Sequence, residues 1–555
     1  MLLLGITLFK KIKLKNCLLY ILVFLHCQSL EAQSSEQAID LLRENKHTDA
    51  LDMLKQVQAS GKNKAKASLA LSVIEADDEH YLKAFNDFQL FCQYYPDPYP
   101  YFYALNSIGV FNKGECIGNN DVEFFLKKLL SDPKANATVR SCAINILAGN
   151  KEREGDFKAA RKIYANISDI KNWSTVGVFE NVAGSGFNKD FGVVTHPEAD
   201  YKFTNNLGAT VQWFDIPEVR NDRWQDLTNS HNISDALIYS QTFIKSDQDT
   251  NVFLKIGISG SLKVWLNDYQ IASENEERNT DADVLTYQVK IQKGINRLLL
   301  QTGSSEINNN NFLVRLTDLN GNLLTNIKSD SHFEPYTKAQ PYEINQIPFF
   351  AEKYFEDLVA RYPDNLINQS LLLEVYNHNE RKYEALKVLK ELKKIAPHSS
   401  FVSGKVIATE NFYGNINVAK DEKEYIKTND SECLKSLIIL YGEAFEKANW
   451  SEALRLQNKR IALFGETPFV KFEFIGLTKK KNQERLNAEV DNAYKKYYDD
   501  EKIVEIKSLF CTANKDTKNA NAVLEEYLKA KYSEDVMDML IENDLRASLK
   551  TTYFS

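Results

Sequence analysis

Seven cysteines, eight histidines and 76 carboxylates are the groups through which this 555-residue chain could do chemistry, and their spacing limits which chemistry that is. A thiol nucleophile needs Cys, His and an acid convergent in space. Cys433 and Cys511 fall in helical patterns, no histidine follows His398, and Cys511 reads as a small buried apolar residue. Cys17, Cys27, Cys92, Cys116 and Cys142 are scattered, without the paired spacing of a metal or redox motif. Of these, only Cys116 and Cys142 are candidates to pair in an oxidising compartment. The histidines (His26, His47, His80, His196, His231, His332, His378, His398) are isolated, with neither HExxH nor His-x-His, so no metal site is expected. His47 and His80 fall at turns and are expected to be solvated.

The acidic run Glu274-Asn-Glu-Glu277-Arg-Asn-Thr-Asp281-Ala-Asp283 offers oxygen ligands of the kind calcium takes. It lacks the glycine and alternate-position pattern of a calcium loop, and a solvated hairpin tip is expected instead. Gly184-Ser-Gly186 is a turn and not a phosphate loop, because no Lys-Ser/Thr and helix follow it. Glycoside hydrolysis needs two flanking carboxylates, and so acidic a chain offers too many pairs to choose one. Among the tryptophans, Trp213 and Trp265 alternate like buried strand residues. Trp224, in the polar stretch Asn221-Asp-Arg-Trp-Gln-Asp, is the one candidate for stacking on a sugar, with anchorage of a long loop as its plainer role. No catalytic residue, cofactor or metal ligand is expected.

The elements that would carry these residues are set by an alanine beat. Ala50 and Ala84 are 34 apart, as are Ala351, Ala385, Ala419 and Ala453 in succession; Ala488 and Ala522 continue it after a slip of one. Around each alanine the pattern repeats: Ala385 is followed by Leu389, Leu392 and Pro397, and Ala351 by Phe355, Leu358 and Pro363. A small residue lets two helices approach, apolar residues four and seven positions on share its face, and proline ends the unit. A 34-residue helix–turn–helix unit cannot bury its apolar face alone and must stack on neighbours. The pattern looks like the second-helix half of the tetratricopeptide repeat, TPR. Gly155-Asp-Phe-Lys-Ala-Ala160 reads as a further copy. Tyr94, Tyr95, Tyr99, Tyr101 and Tyr103 are candidates for either a binding surface or packing.

Between about Asn172 and Leu324 the helical period gives way to short β-rich runs at the spacing of an all-β sandwich. Asn267-Asp268 is suited to a tight hairpin between two of them. Leu262-Lys-Val-Trp-Leu-Asn267 with Gly294-Ile-Asn296 resembles galactose-binding-like jelly rolls. Trp173-Ser-Thr-Val-Gly-Val-Phe179, Gly184-Ser-Gly-Phe187 and Pro197-Glu198 resemble the jelly-roll opening of exported, mostly Bacteroidota proteins. In those proteins helical repeats flank the jelly roll, and a DUF3857 domain and a transglutaminase-like domain often follow. Val178 stands where that opening usually has proline, and Asp268 where the hairpin usually has glycine. No transglutaminase-like segment follows the second repeat array before Ser555, so the resemblance places no catalytic residue on this chain.

The N-terminus reads as an export signal: Lys10, Lys11, Lys13 and Lys15, an apolar run from Cys17 to Leu25, and a cleavage point after Ala32. Cys27 as a lipid-modified terminus is the rival reading. Removing residues 1–32 takes out four lysines and one glutamate and moves the formal charge from −8 to −11, which disfavours nucleic acid as a partner. The expected organisation is α + β and multidomain: signal peptide 1–32, TPR-like repeats 33–170, jelly-roll sandwich 171–325, linker 326–345, and TPR-like repeats 346–550. No later segment is long enough to span a membrane. The expected function is a non-enzymatic scaffold of the bacterial periplasm or outer envelope that binds protein or peptide partners. The alternatives are a glycan-binding accessory protein or the N-terminal part of a transglutaminase-like enzyme.

Overall fold

The computed structural model describes residues 35–553 except 62, 206, 218–219, 229, 232–233, 308, 323, 325–326 and 482; residues 1–32, which read as an export signal, lie outside them. A first helical segment comprises α1 (35–43), α2 (His47–Ser60), α3 (Lys64–Asp77), α4 (Tyr81–Tyr94), α5 (Tyr99–Ser107), α6 (Asn120–Ser131), α7 (Ala137–Arg153) and α8 (Phe157–Tyr164). A β region follows, with β1 (Ser174–Glu180), β2 (Phe203–Thr204), β3 (Thr210–Val211), β4 (Phe214–Asp215), β5 (Gln225–Asp226), β6 (Ala236–Ser246) and β7 (Thr250–Leu266). It continues through β8 (Tyr269–Asn279), β9 (Leu285–Ile291), β10 (Gly294–Ser304), β11 (Asn311–Thr317), β12 (Lys328–Asp330) and β13 (Asn345–Ile347). The second helical segment begins with α9 (Phe350–Arg361), α10 (Leu366–His378), α11 (Lys382–Ile395), α12 (Ser400–Phe412), α13 (Ile416–Asn429) and α14 (Leu434–Glu446). It ends with α15 (Trp450–Phe464), α16 (Pro468–Lys481), α17 (Gln483–Lys496), α18 (Glu501–Ala513), α19 (Thr517–Ala530) and α20 (Glu534–Tyr553). The fold class is therefore α + β.

The helices pair as hairpins, and the alanine beat has a structural cause. Ala50, Ala84, Ala160, Ala385, Ala419, Ala453 and Ala520 are each the fourth residue of their helix, and each is 0–1% exposed. At that place the paired helices touch, and a small side chain lets them approach closely. The last two sequence positions need correction: Ala488 and Ala522 are exposed, whereas Leu486 and Ala520 hold the equivalent buried places. The period was right, but two neighbouring alanines two residues further on were mistaken for it. Ala520→Leu is therefore expected to cost about 1–3 kcal/mol by overpacking, and Ala522→Leu under about 0.5 kcal/mol. Urea unfolding of the two variants separates these outcomes.

The β region forms an 11-stranded antiparallel sheet organised around β7 and a separate two-stranded sheet of β2 and β3. The first half of β7 pairs with β9 and β11, and its second half with β8 and β10. The bend between the halves falls at Gly260, which has φ +124° and an irregular register. A Cβ there would lie 2.5 Å from the Gly303 carbonyl oxygen, so both the backbone conformation and the close approach require glycine. Asn267 and Asp268 have φ of +52° and +65°, the two-residue hairpin turn expected from their types.

The sheet is buried on both sides, which is why β6 and β10 show no polar alternation. One face holds Trp173, Ile244, Ile256, Leu300 and Phe312. The other holds Phe179, Tyr239, Trp265 and Leu299 and is covered by Val193, Phe203 and Trp213 from the long β1–β6 connection. Residues 327–347 run along the sheet, with β12 on β6, β13 on β9, and the Ala339 amide donating to the Asn267 carbonyl.

A further core joins the two helical segments. It contains Phe88, Phe91, Tyr101 and Phe111 of the first and Phe355, Leu371, Leu389 and Val406 of the second. Beyond Val406 the second segment packs on itself in separate clusters around Leu456, Val490 and Leu524.

The acidic run from Glu274 to Asp283 is not a solvated tip. Most of it is β8, and its end is buried against helices. Asp283 accepts from Arg315 and from Thr138 of α7, Asp281 faces His378 at 3.3 Å, and Asn279 is bonded to Glu380. Asp281 and Asp283 dock the sheet on the two helical segments, whereas Glu274 and Glu277 bond within the β region.

Candidate functional site

The densest ionic arrangement between distant parts of the chain lies at the α3–α4 turn. The run Glu75-Ala-Asp77-Asp78-Glu79-His80 closes one hairpin. Glu79 takes φ +65° and the His80 amide bonds back to the Glu75 carbonyl, so the turn projects its acids outward. They meet cations more than 320 residues away. Asp77 lies 3.2 Å from Lys405 of α12 and 3.6 Å from Lys435 of α14; Glu79 lies 3.5 Å from Arg460 of α15. Lys405 and Arg460 are held from behind by Glu374 and Glu473 at 2.7 and 2.8 Å.

Both histidines expected to be solvated belong to this seam. His47 Nε2 is 2.7 Å from Asp78, and His80 Nδ1 is 2.8 Å from Glu75. Both sit at turns, where nothing local in the sequence marks a partner; the second helical segment covers them. His80 Nε2 faces the Phe464 carbonyl oxygen at 2.6 Å. With a carboxylate on one ring nitrogen and a carbonyl on the other, only the imidazolium can donate both bonds.

The charges respond to this setting. Burial pushes the Asp77 carboxyl up, but Lys435 and Lys405 outweigh it and hold it below the usual range. Glu75 is likewise lowered, with burial overcome by His80. Burial raises Asp78 despite its bond to His47. Burial opposes the charge on His47, but Asp78 holds it above its ordinary value; the Glu75 bond does the same for His80. Raised histidines stabilise the contact fully below about pH 6.5, and that contribution is lost as pH rises through their folded values. Lowered Asp77 and Glu75 contribute above about pH 4, and are lost on acidification through theirs. The seam is expected to be tightest between about pH 4.5 and 6.5 and to loosen on the alkaline side. Hydrogen exchange at residues 77–80 across pH 5–9 checks this, and His80→Gln should flatten the alkaline arm.

Two groups among the described residues have ligand-like geometry for a cation: Glu75, Asp78 and His80, and Glu501, Glu505 and Asp535. In the first, each side chain already has a protein partner. In the second, the Lys502 ammonium lies within 3.4 Å of all three carboxylates. Neither donor set fits a metal better than the partners it has.

The residues singled out in the sequence are dispersed. Trp224 is half-buried against a cluster that includes Ile144 and Ala160, with its ring edge close to Gly257. Trp213 and Trp265 are buried, as their alternation implied. Cys92, Cys116, Cys142, Cys433 and Cys511 are all unbonded thiols, and burial pushes Cys116 up to about 12. Tyr101 and Tyr103 are core residues, and the Tyr103 hydroxyl donates to Asn379, whereas Tyr94 is exposed. A cleft of about 420 Å³ opens between Tyr99, Lys134 and Tyr354, with no thiol, hydroxymethyl or imidazole in its lining.

No family model matches the sequence, and no curated protein is similar to it. Among solved structures, a tetratricopeptide repeat protein from Parabacteroides merdae is 11% identical, with a TM-score of 0.25 over 35% of this chain and 76% of that one. Yeast Tom70 is 12% identical, with a TM-score of 0.24 over 94% of this chain and 77% of that one. Overlaps of this size carry no weight for the fold, which rests on the helix pairs and the sheet themselves. No described helix is long and apolar enough to cross a membrane.

Proposed function

We propose that this chain is a non-catalytic scaffold that binds protein or peptide partners on its helical repeats, exported to the cell envelope. In this reading two TPR-like arrays flank a jelly-roll sandwich. What supports that layout is the stacked helix pairs with a buried alanine at a fixed place, and a β7-centred sheet with two buried faces. Export rests on the N-terminal sequence alone.

One observation carries the binding role. At the turns of α11–α13, Tyr383, Phe412, Ile416 and Val418 are 75, 56, 68 and 49% exposed, on three successive helices. Large apolar residues clustered on a rigid surface mark interaction sites. A photo-crosslinking residue at Phe412 should capture one defined protein, and Ile416→Glu should abolish that product without changing helix content. Capture that persists in Ile416→Glu would remove this surface from the proposal.

A further inference from the structure

The second helical segment is attached to the first in two physically different ways. From Phe349 to Val406 it shares a single apolar core with residues 38–147. From Leu434 onward its clusters around Leu437, Val490 and Val504 contain only its own residues. What ties that distal half back is polar: Lys435 to Asp77, Arg460 to Glu79, and His80 to the Phe464 carbonyl. Further along, the Tyr532 amide reaches the Glu154 carbonyl at 3.4 Å. Two ring contacts accompany these bonds, His47 on Phe464 and Phe157 on Tyr532. Between the halves, α13 buries only Ala419 and Ile426 and exposes Ile416 and Val418. An apolar core does not open in water without a large loss, whereas these two ties each have one partly exposed partner, Lys435 or Glu79, at which water and salt weaken the pair.

We propose that the α3–α4 turn is an intramolecular latch: its acids occupy a cationic face of the distal repeats, which opens about α13 to take an acidic segment of a partner protein. This rests on the scaffold reading for a partner's existence, but the latch itself is tested without one. The class of partner follows from charge. Lys435 is half-exposed, so displacement of Asp77 and Glu79 frees its ammonium for another carboxylate, while Arg460 keeps Glu473 at 2.8 Å and can take a second one where Glu79 lay. Lys405 stays neutralised by Glu374 on its own segment, which keeps the vacated face from collapsing by charge repulsion. The resident turn acts at the high effective concentration of a tethered ligand, so a free acidic segment competes poorly until the tether's charges are weakened.

The experiment uses the full chain and a fluorescent ten-residue glutamate peptide, read by anisotropy at 50 mM salt, beside small-angle scattering of the protein alone. Asp77→Asn with Glu79→Gln should bind the peptide at least tenfold more tightly than the parent and show a larger maximum dimension. Adding Lys435→Ala to that variant should remove the gain. Glu79→Gln alone, at a half-exposed position outside the core, should move both readouts in the same direction by a smaller amount. It decides the matter if the double variant does not fold. Equal binding by the parent and Glu79→Gln, or a gain that survives Lys435→Ala, overturns the latch. A gain in binding without extension would place the peptide elsewhere and overturn it too. Failure of the Phe412 crosslink with an intact latch would count against the scaffold reading only.

Discussion

Asp283→Ala is expected to destabilise the chain by about 3–5 kcal/mol, the cost of leaving a buried cation without its partner. Asp283 and Arg315 are each 2% exposed, and Arg315 reaches the carboxylate through two nitrogens, with its Nε 2.9 Å from Oδ1. Lys255 approaches the same carboxylate at 3.9 Å, and Thr138 donates to it at 2.8 Å. Burial pushes the Asp283 carboxyl up, but Arg315 and Lys255 prevail and hold it below the usual range. Burial also lowers Lys255, whereas the Arg315 guanidinium keeps its charge. The loss in Asp283→Ala therefore falls on the guanidinium. Removing both partners, as Asp283→Leu with Arg315→Met, should recover most of it, because no uncompensated charge remains. Urea unfolding followed by circular dichroism separates the two variants. A loss below about 1 kcal/mol in Asp283→Ala would mean that water reaches Arg315 and that the pair is not what docks the sheet on α7.

That pair shows why the sequence was informative about elements and silent about their contacts. Helices, strands and the Asn267-Asp268 turn depend on residues within one period of each other, and they were readable. Trp213 and Trp265 could be placed in a core because alternation is local. The role of Asp283 could not, because Thr138, Arg315 and Lys255 are remote in sequence and become neighbours only when sheet and helices meet. The same holds for His80, whose second partner is a backbone carbonyl 384 residues away. The error at Ala488 and Ala522 has a different cause. Composition offers several alanines near each expected place, and only packing distinguishes the fourth helical residue from its neighbours. A usable signal for the seam was present in the run Glu75 to His80: five ionisable groups in six residues at the turn of an otherwise apolar hairpin are costly unless something opposite pairs with them.

Arg297→Ala is expected to cost a further about 3–5 kcal/mol at a different place, by the same logic of a buried hydrogen-bonded charge. Arg297 is 1% exposed at the centre of β10. Its Nε donates to Gln241 at 2.9 Å, NH2 donates to the Val193 carbonyl at 3.0 Å, NH1 donates to the Val194 carbonyl, and Asp268 lies 3.2 Å away. One guanidinium therefore joins the strand, the hairpin turn and the long cover over the second face of the sheet. Removing it leaves two carbonyls unpaired in a dry site, while Asp268 keeps Lys338 at 3.3 Å. Arg297→Lys should regain less than half the loss, since an ammonium has no planar fork to span Gln241 and two successive carbonyls. Melting temperature should fall by roughly 6–12 °C in Arg297→Ala. The cover carries Val193, Phe203 and Trp213 over Trp265 and Tyr239, so its loosening should increase acrylamide quenching of tryptophan. Unchanged quenching with lowered stability would show that apolar contact alone keeps the cover down. That distinction bears on function: only if the cover lifts could Trp265 and Tyr239 offer a sugar an aromatic face, whereas Trp224 lies outside the cover in a different cluster.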